Sequence, residues 1–150
     1  MKATEINGEI KIFGSLPKSW NDGERIHENI KDYDALGFKD LVYPKYDSRI
    51  EAIENLHLED NVYTYDVVDI TFSESLSDLK LNKIGTLKSE IGNLLSQTDW
   101  YIIREADNGE ATPQSIKDER AALRNKSDEL ENQINALTTK KSVVLFDINI

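Results

Sequence analysis

At 150 residues with 39% hydrophobic side chains the chain can bury a core without cross-links, and the absence of cysteine excludes disulfides, thiolate ligands and zinc-finger chemistry. Its 28 acidic and 18 basic side chains leave a net charge of −10, which opposes nucleic acid and anionic lipid, so neither nucleic acid nor membrane is expected as a partner. No apolar run approaches the roughly 20 residues that cross a bilayer, and Met1-Lys2-Ala3-Thr4-Glu5 leads into alternation, which predicts a soluble, unprocessed chain compatible with a reducing cytoplasm.

Ala3 to Phe13 predicts a hairpin, because Asn7-Gly8 supplies two positive-φ positions between runs carrying Ile6 and Ile10, Ile12. Leu16-Pro17 and Asn21-Asp22-Gly23 break the chain, and Glu24 to Ile30 then reads as a helical turn with Ile26 and Ile30 on one face. Asp34-Ala35-Leu36-Gly37 predicts a short helix closed by glycine, with a strand from Phe38 to Tyr43 ended by Pro44. Ile53 to Glu59 and the β-branched and aromatic run Val62 to Val68 predict a second hairpin about Glu59-Asp60-Asn61.

At Ser73 or Ser75 the period changes. Leu76, Leu79, Ile84, Leu87, Ile91, Leu94 and Leu95 recur at three- and four-residue steps, predicting a helix to about Gln97. Gly85 and Gly92 weaken it, and their shared line offers a place for close approach by a backbone or ring. Thr98 to Gly109 reads as an interruption whose segment Trp100-Tyr101-Ile102-Ile103 needs burial. Thr112-Pro113 then starts a second long helix, with threonine as the cap and proline in the first turn. Ile116, Leu123, Leu130 and Leu137 repeat every seven residues, with Ile134 and Ala122 in part of the second seam, whereas Lys126 and Gln133 depart from a strict two-stranded coiled coil. An antiparallel helical hairpin and self-association both fit that pattern. Lys140-Lys141 suits a helix C-terminus, and Val143 to Ile150 reads as a terminal strand seeking a sheet.

The expected architecture is therefore α+β: a small N-terminal antiparallel β-rich unit over residues 1–72, then a long two-helix hairpin and a C-terminal strand over 73–150. Leu87, Ile91, Leu94, Trp100, Ile116, Leu123, Leu130, Ile134 and Leu137 are the expected helix-packing residues. Tyr63, Tyr65, Val143 and Leu145 are the expected partner surface.

Glycine-rich phosphate loops, nucleophile elbows and paired histidines on a helix are all missing from the sequence. His27 and His57 lie on different predicted elements, and neither Glu59-Asp60-Asn61 nor Asp107-Asn108-Gly109-Glu110 has the ligand spacing of a calcium loop. Carboxylates such as Asp66, Asp69, Glu59 and Asp60 are too abundant to single out a pair. Trp20, Tyr33, Tyr43, Tyr46, Tyr63 and Tyr65 do gather in the first half, which keeps a small carbohydrate-binding or hydrolysing module as an alternative. The reading is otherwise non-enzymatic, with no catalytic residue, metal or cofactor expected.

Leu94-Leu95-Ser96-Gln97-Thr98-Asp99-Trp100, followed by a proline-started helix bearing Glu119-Arg120-Ala121-Ala122-Leu123-Arg124, resembles a pattern in tail-assembly chaperone-like and tail-fibre accessory proteins of tailed bacteriophages. Tyr65 to Thr71 is similar to the strand before that helix, so the resemblance covers about half the chain. Many members of the family end soon after the second helix, whereas this chain is expected to continue for about four turns and a terminal strand. The resemblance implies a non-enzymatic, virion-associated structural protein of the tail or fibre, made in the host cytoplasm, with other phage structural proteins and copies of itself as partners. A tail-fibre assembly chaperone absent from the mature particle is the alternative within the same family. Read from its chemistry, Thr98 or Asp99 can cap amides after the first helix and Trp100 can wedge between the two helices.

Overall fold

The first hairpin forms about Asn7-Gly8. In a computed structural model describing all 150 residues, Asn7 and Gly8 take φ of 52° and 81°, and β1 (Lys2–Ile6) pairs antiparallel with β2 (Glu9–Phe13) so that Ile6 faces Glu9. Two successive positive-φ residues give the turn a twist matching the strands it joins. The chain is α+β, with antiparallel strands first and helices after, and it divides into two compact units, Met1–Ile70 and Thr71–Ile150.

In the first unit, β5 (Lys39–Asp40) joins the other edge of β1, giving a three-stranded sheet ordered β2-β1-β5. The strand predicted over residues 38–43 is thus only two residues long, extended by a single parallel bridge from Leu41 to Tyr63. The helical turn expected over Glu24 to Ile30 is instead a strand: β4 (Ile26–Glu28) pairs with β3 (Ser19–Asn21). Asp22 decides this, since its carboxylate accepts from the amides of Glu24 and Arg25 at 2.9 Å each and closes a tight turn. Asp34–Leu36 forms one 3-10 turn ended by Gly37 at φ 81°. Trp20, Phe38, Phe13 and Tyr33 pack beyond it as an aromatic cluster with centroids 4.8 to 5.5 Å apart.

The second hairpin pairs β6 (Glu51–Glu59) with β7 (Val62–Asp69) about Asp60 and Asn61, again both at positive φ. A bulge between Glu54 and His57 puts Asn55 at φ 49° and breaks the alternation seen in the sequence. Ala3, Leu41 and Tyr63 are buried together, with Ile10, Leu56 and Tyr65 packed against them.

In the second unit, α1 (Leu76–Ser96) starts at Ser75, whose hydroxyl accepts from the Asp78 amide at 3.1 Å. It packs antiparallel to α3 (Gln114–Ala136): Lys80 donates to the Asn135 carbonyl near one end, Lys88 pairs with Glu131, and Arg120 reaches Leu95 near the other. Ile84, Leu87, Ile91, Leu130 and Ile134 form the buried seam. The connection differs from a two-helix hairpin, because residues expected to interrupt the helices form α2 (Asp99–Asn108), closed by Gly109 at φ 78°.

No terminal strand forms. Lys140–Leu145 is a short helix, α4, opened by a capping box in which the Thr139 hydroxyl accepts from the Ser142 amide at 3.1 Å. Lys140 and Lys141 accordingly sit at a helix start rather than its end. Phe146 and Ile148 follow in irregular backbone and pack on the α1/α3 seam.

Candidate functional site

The junction between α1, α2 and α3 holds the residues that carried the resemblance, and its centre is a guanidinium. Arg120 of α3 is 7% exposed and donates to the Leu95 carbonyl at 2.6 Å, to the Thr98 hydroxyl at 2.7 Å and to the Asp99 carboxylate at 2.8 Å. One cation therefore serves a C-terminal carbonyl of α1, that of Leu95, and the carboxylate in the first turn of α2, both favourable placements for the helix dipoles. The cap expected of Thr98 is turned round: its hydroxyl donates back to Leu95 at 3.1 Å and accepts from Arg120.

Thr112, expected to cap α3, is buried at its side chain while Pro113 holds the cap position. Its hydroxyl donates to the Tyr101 carbonyl at 3.1 Å and also faces Glu105. The Glu105 carboxyl is held below the ordinary carboxylate value, first by the Thr112 hydroxyl and then by Lys117 at 3.2 Å. Arg104 pairs with Glu110 at 3.1 Å and lies over the rings of Trp100 and Tyr101, 4.9 and 5.4 Å from their centroids.

These contacts orient α2 with polar atoms inward and apolar side chains outward. Trp100 is 51% exposed and Ile103 66%, with Ile102 also exposed beside them. Trp100 thus does not wedge between the long helices; its ring lies tilted against that of Tyr101, with centroids 3.8 Å apart, and faces out. Burying a guanidinium with its acceptors at the joint leaves the apolar face of a ten-residue helix to solvent, the reverse of the ordinary arrangement.

The remaining expected packing residues separate by depth. Leu87, Ile91, Leu130 and Ile134 are buried in the seam and Leu123 packs against it; Ile116 and Leu137 are half-buried, and Leu94 is exposed. The open line expected beside Gly85 and Gly92 has no occupant, since nothing lies within 4 Å of a Cβ placed at either.

The expected partner surface is largely interior. Tyr63 is 3% exposed in the first unit's core, and Tyr65 is half-buried and stacked on Tyr43 at 5.5 Å. Burial pushes both phenols above their ordinary value. Val143 is 1% exposed and Leu145 half-buried, so neither offers a strand edge. Tyr43 and Tyr46 remain as exposed aromatics in the first unit.

A groove of about 450 Å³ lies between α1 and the segment after α4, lined by Lys83, Thr86, Glu90, Val144, Phe146 and Ile148 among others. Lys83 spans it, donating to the carbonyls of Val144 and Phe146 at 3.3 and 3.0 Å. His27 bonds Asp22 at 2.6 Å in the β3–β4 turn, holding that carboxyl far below its ordinary value together with the Arg25 and Glu24 amides. No group of three or more His, Asp or Glu side chains is spaced to hold a metal ion, and no helix is long and apolar enough to cross a membrane.

Comparison of the chain with family models, with curated proteins and with solved structures returned no match.

Proposed function

We propose that the protein is a non-enzymatic structural component of the tail or fibre apparatus of a tailed bacteriophage, acting through protein–protein assembly and residing in the virion. The observation that carries this reading is the outward apolar face of α2, with Trp100 and Ile103 more than half exposed on a helix anchored by ion pairs. Exposed tryptophan and isoleucine on a fixed helix suit recognition of another protein, because rigid aromatic anchors lose little entropy on binding. The resemblance of the stretch from Leu94 to Arg124 to phage tail accessory proteins supports the same reading. Thr98 and Asp99 lie more than 20 residues from Arg120 in sequence yet meet it in one joint, which supports reading the pattern as a way of presenting α2.

Partners are other tail structural proteins and sister copies. Quantitative mass spectrometry of purified particles and of infected-cell lysate tests the proposal. Recovery with the particles, in fixed ratio to tail proteins, is the expected result. Presence in lysate alone sinks the virion role and leaves the assembly-chaperone alternative standing.

A further inference from the structure

We propose that the outward face of α2 is a homotypic contact, on which a second copy of this chain docks its own α2 antiparallel about a two-fold axis beside Ile103. This rests on the assembly role above and names one partner for it.

Charge favours that occupant. The chain carries −10 overall, so most of its surface repels a copy of itself. Around α2 the charges are already matched within the chain: Asp99 with Arg120, Glu105 with Lys117, and Glu110 with Arg104. A copy approaching here meets nearly neutral ground.

The one unmatched carboxylate on this face supplies the register. Asp107 has no polar partner within the chain, and neither has the indole N–H of Trp100. Seven residues apart on one helix, they lie about two turns and about 10 Å apart on the same side. An antiparallel pairing centred between them puts each Trp100 opposite the Asp107 of the other copy, a donor opposite an acceptor, twice by symmetry. Ile103, 66% exposed, then packs against its own counterpart. A contact made by one short helix falls below the standard interface size, so the dimer is weak and concentration-dependent.

Because the chain has no cysteine, single-cysteine variants report the geometry directly. Ile103→Cys in the full-length protein is expected to form an intermolecular disulfide under mild oxidation far faster than Ser89→Cys, an exposed position on α1. Sedimentation velocity over about a hundred-fold range of concentration is expected to show dimerisation of the wild type, weakened at least about ten-fold in Ile103→Glu and retained in Asp107→Asn. Far-UV circular dichroism checks that the variants fold. A wild type that stays monomeric throughout, a dimer indifferent to Ile103→Glu, or equal cross-linking at both positions overturns the α2 contact. None of those results touches recovery with virions, which decides the broader assembly role independently.

Discussion

Arg120 is the side chain with the most work concentrated on it, because three acceptors from two segments depend on one buried guanidinium. Arg120→Met keeps the length and loses every donor, which leaves Leu95 and Thr98 short of a partner and costs about 2 kcal/mol. The half-exposed Asp99 adds little to that figure. Chemical denaturation measures the loss, and a variant as stable as the wild type would show that water serves the joint equally well. His57 offers a second test. Its imidazole is held above the ordinary value of 6.5, first by the Asn55 carbonyl and then by Asp66 and Glu59. A raised folded value means the stabilisation is fully present below pH 6.5 and is lost as pH rises through that higher value. Amides of the β6–β7 ribbon are therefore expected to lose exchange protection, beyond the intrinsic pH effect, on the alkaline side. An NMR titration placing His57 at or below 6.5 contradicts this.

Elements whose form is set by neighbouring residues were readable in the sequence, and those set by burial were not. Asn7-Gly8 and Asp60-Asn61 dictate their own backbone, so both hairpins followed from a few residues. The leucine stripe of α1 and the Ile116-to-Leu137 repeat of α3 identified two long helices for the same local reason. α2 was not legible, because Trp100-Tyr101-Ile102-Ile103 has no period and its apolar face is the exposed one, so hydrophobicity pointed the wrong way. The tail misled through its alternation; the missed signal was Thr139 three residues before Ser142, a helix start that outweighs a strand pattern lacking a partner. Gly85 and Gly92 suggested a close approach that does not occur. With open space at both Cβ positions, Gly85→Ala and Gly92→Ala each add about 1 kcal/mol of helix stability. Differential scanning calorimetry is expected to show a higher midpoint for the double variant, and an unchanged or lower one would mean these glycines meet something beyond their own chain.

At the scale of the molecule, the two units are built on different terms. The first spreads its hydrophobic burial over small sheets and an aromatic cluster, each modest in extent. The second concentrates burial in one seam along α1 and α3, closed by residues after α4. The change of hydrophobic period near Ser75 correctly announced an α+β chain, whereas the location of an exposed apolar face depended on which polar groups the joint consumed, information spread over Thr98, Asp99, Thr112 and Arg120. One attachment in the second unit has a consequence for how the chain can vary. Lys83 and Lys140 hold the closing segment and Phe72 by main-chain oxygens, at Val144, Phe146 and Phe72. Carbonyl groups are common to every amino acid, so whatever side chain stands at position 144, the Lys83 ammonium keeps an acceptor there and its grip does not depend on residue identity.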